Sequence, residues 1–246
     1  MAVRKIKLTI IYDGSGYHGW QTQPGRKTIQ DELNKAVRSL VGRKVTVHGA
    51  SRTDAGVSAL GQVGLIELDS PIPTENFAKA ITDRLPEDIA VTEAVEVSKD
   101  FDLIGGPVGK LYRYTIFTGR VRPVLQIRHC WHLPGELDVA AMNEAGKLLV
   151  GEKDFKSFAS ARDKRTNTVR TILRCQSRAD GDWVYVDVEG KAFLYNMVRN
   201  IVGTLVEIGK GRWPPEKIDE ILQARDRCAA GPIAPAAGLC LMWVRY

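Results

Sequence analysis

The feature that most constrains this chain is the period of its apolar residues, which switches between two and about 3.6 within the first hundred positions. Ile6, Leu8, Ile10 and Tyr12 alternate with Lys5, Lys7, Thr9 and Ile11, the pattern of a strand with one buried face. Thr28 with Asp31 can cap a helix start, and Ile29, Leu33, Ala36, Val37 and Leu40 then recur at helical spacing as far as Gly42. Residues 44–48 and 62–68 read as strands, 74–85 as a helix stopped by Pro86, and 89–97 as a strand. That order, β-α-β-β-α-β, is ferredoxin-like.

The glycine-rich stretch 105–109 reads as a linker. Beyond it, 111–117 is strand-like, 138–149 helical, 183–188 alternating and 194–208 helical with Gly209 as terminator. Pro214 and Pro215 open a helix running to about Arg225, and 239–244 closes the chain as a strand. The expectation is an α+β protein of two domains, 1–104 and 105–246. A length of 246 residues accommodates one large domain or two modest ones, and the element pattern favours two.

Composition narrows the class. With 44% hydrophobic and 26% charged residues, the chain is neither a fibre nor a disordered tail. No apolar run approaches the ~18–20 residues that span a bilayer, and the N-terminus lacks the unbroken apolar core of a signal peptide. Cys130, Cys175, Cys228 and Cys240 are isolated, so neither a disulfide framework nor a cysteine zinc site is expected. A reduced, soluble, cytoplasmic protein with no membrane partner follows. The net charge of +6 is uneven. Residues 1–105 hold 13 Lys and Arg against 14 Asp and Glu, whereas the remainder holds 22 against 15. A basic second half suits a polyanion such as nucleic acid.

Gly14, Gly16 and Gly19 match G-x-G-x-x-G after a strand, but the helix starts only near Thr28 and the next strand ends at His48-Gly49 without an acid. A dinucleotide site needs both, so the stretch reads as a turn that lets a loop approach something closely. P-loop, H-E-x-x-H and G-x-S-x-G motifs are absent, and His129 and His132 flank Cys130-Trp131 in a predicted strand, where packing is the expected role.

Three segments carry candidate chemistry. The run from Gly49 to Val57 places Arg52 two residues before Asp54 and Gly56 two after it, on a loop between predicted strands. A plain turn would use the same residue types. In the second segment, Tyr112 and Tyr114 share one strand face and Arg113 takes the other, which suits base stacking with phosphate pairing or two half-buried sheet tyrosines. In the third, Leu194, Val198, Ile201, Val202 and Leu205 form an apolar stripe with Arg199 beside it. That arginine either snorkels or partners one essential acid.

At these residues the chain resembles the tRNA pseudouridine synthase A family. The match runs from Tyr12-Asp13-Gly14, Gly19-Trp20-Gln21 and Thr28-Ile29-Gln30 through Ala50–Val57 to Tyr112-Arg113-Tyr114. It continues with Asp154-Phe155, Ser157-Phe158, Arg170-Thr171-Ile172, Phe193-Leu194-Tyr195, Met197-Val198-Arg199 and Gly238-Leu239. The resemblance implies conversion of uridine to pseudouridine at positions 38, 39 and 40 of the tRNA anticodon stem-loop. It also implies no cofactor and no metal, a homodimer, and two ferredoxin-like or RRM-like lobes with antiparallel sheets flanking a basic central cleft. Asp54, Arg199 and Tyr112 are then the catalytic set, and Tyr112, Arg52 and Leu194 the substrate-binding set. Ser58 stands where the family usually has histidine, which bears on local packing or an RNA contact. Residues 103–107 are apolar and glycine-rich where relatives commonly carry an arginine.

The implied reaction breaks the C1′–N1 bond and makes a C1′–C5 bond, an isomerisation. An aspartate, with a reference pKa of ~3.9, is ionised at neutral pH and suits covalent carboxylate catalysis at C6 or C1′. Flipping the base costs a few kcal/mol and one aromatic stack returns ~1–3, so Tyr112 would stack while Arg52 fills the vacated space or holds a phosphate.

Overall fold

The computed structural model describes residues 3–246, which divide into two compact units. The first runs to Val108 and takes in Cys240–Tyr246; the second is Gly109–Leu239.

In the first unit, β1 (Arg4–Tyr12), α1 (Ile29–Val41), β2 (His48–Gly49), β3 (Ser58–Leu68), α2 (Thr74–Thr82) and β4 (Ile89–Val97) follow one another. Strand β1 lies antiparallel between β4 and β3, and β2 pairs antiparallel along the outer side of β3. This is the ferredoxin-like order expected from the apolar period. Ile6, Leu8 and Ile10 are wholly buried, alternate residues that share one face of the strand. The Thr28 hydroxyl accepts from Asp31 N and Gly42 takes a left-handed φ of 73°, so both ends of α1 form where the residue types demand.

Two elements are shorter than their sequence suggested. Only His48–Gly49 of the stretch 44–49 is strand, because Val47 spends its backbone on α1 side chains: its N–H donates to Asn34 Oδ1 and its carbonyl accepts from Gln30 Nε2. Helix α2 ends at Thr82 rather than 85; Arg84 N–H and Leu85 N–H donate three residues back, to Ile81 and Thr82, in a tightened turn.

The second unit holds β5 (Gly109–Phe117), β6 (Trp131–His132), α3 (Val139–Leu148), β7 (Gly151–Asp154), β8 (Val169–Asp180), β9 (Trp183–Gly190), α4 (Met197–Gly209) and α5 (Lys217–Ala224). Its antiparallel sheet runs β5-β9-β8-β7, with β6 parallel at the end of β5. Strand β8 escaped the sequence reading because Arg174, Gln176 and Arg178 face water and only Ile172, Cys175 and Ser177 are buried, which blurs the alternation. Helix α4 starts at Met197, not 194, because Asn196 adopts a left-handed φ of 62°. Gly209 is its last residue and Gly211, at φ 71°, turns the chain. Among its thirteen residues only Arg199 is not buried.

The last strand, β10 (Leu239–Arg245), was grouped with the second lobe by sequence order. Residues Cys240 and Leu241 instead run parallel to Ser58 and Ala59 of β3. Close approach is possible there because a Cβ on Gly61 would stand 2.5 Å from the Met242 carbonyl oxygen. Periodicity marks a strand but not its neighbour. Among the described residues, no helix is long and apolar enough to cross a membrane.

Candidate active site

The Arg-Thr-Asp loop of the first unit is held by the glycine-rich loop that follows β1. Trp20 N–H donates to Thr53 O at 3.1 Å, and Gly56 N–H to Tyr17 O at 3.2 Å. Val57 N–H closes a turn onto Asp54 O at 3.1 Å, with Gly56 at φ 80°. From below, Tyr12 Oη and Thr53 Oγ1 share a hydrogen bond of 2.8 Å, while Gln62 donates to Ser51 O at 2.7 Å and accepts from Ser51 N–H at 3.2 Å. Thr53 is therefore buried, Asp54 half-buried and Arg52 exposed. A peptide fixed on both sides presents its carboxylate at one defined position, which is what a reacting group needs.

The same contacts explain the false dinucleotide motif. A Cβ on Gly14 would lie 2.0 Å from the Val57 carbonyl oxygen, and one on Gly19, whose φ is 87°, would lie 2.6 Å from Thr53 O. The glycines let this loop sit against the Arg-Thr-Asp loop, the close approach that the sequence reading inferred. Ser58 takes part: its Oγ accepts from Gly14 N–H at 3.0 Å. The departure at 103–107 is also a packing solution. Leu103 joins Ala50, Val63 and Leu65 in a buried cluster beneath the loop. Asp102 caps the following turn, accepting from Gly105 and Ile104 N–H, which holds its carboxyl below the ordinary range.

In the second unit, Tyr112 and Tyr114 do share a face of β5, together with the buried Lys110. Tyr112 is 7% exposed, and Phe193 braces it edge to face at 5.2 Å. Arg113, on the other face, forms a two-pronged pair with Asp187 at 2.7 and 2.8 Å, so phosphate pairing is not its role in β5. Burial raises the Tyr114 phenol far above its usual range, the Arg199 charge opposing, and its hydroxyl donates to Pro235 O at 2.7 Å.

Arg199, in the first turn of α4, does more than snorkel. Its Nε donates to Ala234 O at 2.8 Å and its Nη1 to Asn196 Oδ1 at 3.4 Å, and Ala234 N–H returns a bond to Arg199 O. Segment 231–235 lies flat on α4 because a Cβ on Gly203 would stand 1.7 Å from Pro232 O. Leu194 is buried in the turn before the helix, its carbonyl accepting from Met197 N–H. The structure thus groups Tyr112, Leu194 and Arg199 in one unit and Arg52 with Asp54 in the other. Sequence reading missed the carbonyls of Ala234 and Pro235; backbone acceptors leave no mark on residue type. Among the described residues, no group of three or more His, Cys, Asp or Glu could hold a metal ion.

The braced aspartate loop lies in one unit and the fixed Arg199 guanidinium in the more basic other, residue types that suit an enzyme class acting on an anionic substrate. Known proteins give the class its particulars. A family model described as tRNA pseudouridine synthase matches residues 9–104 and 145–246. The tRNA pseudouridine synthase A of Moorella thermoacetica is 46% identical over 98% of this chain and 99% of its own length. The Geobacillus kaustophilus protein of the same name is 44% identical over 99% and 95% respectively, and that of Caldicellulosiruptor saccharolyticus 39% over 99% and 100%. The chain belongs to the tRNA pseudouridine synthase family. It is an isomerase that binds tRNA and converts uridine in it to pseudouridine.

Proposed function

We propose that the chain modifies positions 38, 39 and 40 of the tRNA anticodon stem-loop, as a cytoplasmic homodimer, on a uridine flipped out of the stack. The observation that carries the reading is the intact Arg52-Thr53-Asp54 loop with its backbone pinned by Trp20, Tyr17 and Gln62. Asp54 supplies the carboxylate nucleophile. The C1′–N1 bond breaks, the C1′–C5 bond forms, the C5 proton leaves and N1 regains one, so no redox partner is consumed. Arg199 serves the same reaction as the positive charge that keeps a carboxylate ionised when water is shed. Tyr112, with Phe193 behind it, stacks on the target base, and Arg52, exposed on its loop, takes the vacated space or a phosphate. Leu194, buried in the turn before α4, serves substrate binding through its apolar side chain.

Incubating the pure protein with unmodified tRNA and mapping pseudouridine nucleotide by nucleotide tests this. Product at 38, 39 and 40 supports the reading. Product confined to another region of tRNA overturns the site specificity, and binding with no product overturns the chemistry.

A further inference from the structure

One cluster of charge in the second unit is unused by that chemistry. Arg170 lies on β8 directly opposite Lys153 of the edge strand β7. Like charges at opposite positions of an antiparallel pair repel. A third cation, Arg165, is close: burial first, and the Arg165 guanidinium second, weaken the hold of Arg170 on its proton, with the Asp163 carboxylate opposing. Arg170 Nε is buried without a hydrogen-bond partner, while its Nη1 donates to the carbonyls of Asn167 and Val169 at 3.2 and 2.6 Å. A buried donor left without a partner is destabilising.

The acids nearby are already committed. Asp163, its side chain 5% exposed, accepts from Arg165 Nε at 2.9 Å, Arg165 N–H at 3.1 Å and Tyr195 N–H at 2.8 Å. Those bonds outweigh burial and hold its carboxyl below the ordinary range. Asp154 accepts from Thr168 Oγ1 and Lys156 N–H and pairs with Arg225. Both nearby carboxylates, Asp163 and Asp154, are therefore already engaged.

The cluster is tied to the segment behind Tyr112. Arg165 Nη1 donates to Phe193 O at 3.2 Å, and Ser160 N–H to Tyr195 O at 2.9 Å. Tyr195 is 40% exposed.

We propose that Lys153, Arg165 and Arg170 form a seat for RNA backbone phosphate, bound beside the Phe193–Tyr195 turn. A phosphodiester supplies the negative charge the cluster lacks, and the planar guanidinium forks suit it. This rests on tRNA being the substrate and adds where its backbone is gripped. Folding alone gains nothing from opposing Lys153 with Arg170; an anion held by both does.

The experiment measures tRNA affinity against salt, and melting temperature, for Lys153→Gln and Arg170→Gln. Lys79→Gln, an exposed cation on α2 paired with Asp83, is the charge-matched control. The proposal expects roughly tenfold weaker binding for each cluster variant and a log–log salt slope shallower by about one. Lys153→Gln is the sharper arm, because it relieves repulsion: it should melt higher and yet bind tRNA more weakly. Arg170→Gln also removes two backbone bonds, so if it fails to fold Lys153→Gln decides alone. An unchanged slope in a folded variant, while the wild-type protein makes pseudouridine, overturns the seat and leaves the proposed function standing. Absence of pseudouridine from the wild-type reaction would instead fail the proposed function.

Discussion

Thr53, Asp54 and Arg52 are consecutive, yet one is buried, one half-buried and one exposed. The residue types make the triplet recognisable, but its exposure gradient comes from Tyr12, Gln62 and Trp20, which reach it from elsewhere in the chain. Arg199 differs: its place as the lone unburied residue of α4 was legible from the apolar stripe, while its anchor at Ala234 O was not. From that anchorage, Arg199→Ala should lower the single-turnover rate of pseudouridine formation by about a hundredfold or more while tRNA affinity changes by less than about tenfold, as expected for a charge used in the transition state. Equal losses in rate and affinity would make Arg199 an ordinary RNA contact. Tyr112→Phe keeps the ring and its edge contact with Phe193, so tRNA binding should persist within about threefold, an effect below ~1 kcal/mol. Filter binding with the two proteins decides it, and a large affinity loss would assign the work to the hydroxyl.

At the scale of elements, strands and helices with one clean apolar stripe were readable, and their faults were physical. The stretch before β2 became coil because Asn34 and Gln30 captured the backbone of Val47. Strand β8 hid because most of one face is charged and wet. The loop after β1 looked like a nucleotide motif because glycine spacing cannot say what the glycines approach. Its true role gives a prediction. Gly14→Ala would drive a Cβ into the Val57 carbonyl, 2.0 Å away, and should destabilise the protein by about 1–3 kcal/mol and lower activity through loop displacement. Urea unfolding and turnover on the same preparation check this; an unperturbed, fully active variant would mean the Arg-Thr-Asp loop is not set by this contact.

Strand β5 adds a pH dependence. Burial lowers the Lys110 ammonium from the usual 10.5 to about 8. Between those values the unfolded chain binds the extra proton, so Lys110 makes stability rise with pH across that window. Cys175, whose thiol burial pushes up to about 12, contributes the opposite slope above ~8.5. The difference between wild type and Lys110→Met isolates the first effect: the variant should gain most at pH 7 and progressively less towards pH 10. A pH-independent difference would contradict it.

For the whole molecule, net charge takes on meaning once divided by unit. The first unit's sequence holds equal numbers of acids and bases, and all of the +6 belongs to Gly109–Leu239. Sequence order groups the last strand, with Arg245, with the second lobe, whereas by contacts it belongs to the first unit. A charge excess confined to one unit is expected to make tRNA affinity fall steeply with salt. The most direct test of this account is therefore single-turnover pseudouridine formation by Asp54→Asn on unmodified tRNA, with affinity measured on the same samples. The account predicts unchanged affinity within about threefold, below ~1 kcal/mol, and no detectable pseudouridine. Substantial residual turnover by a protein that still binds tRNA would contradict it.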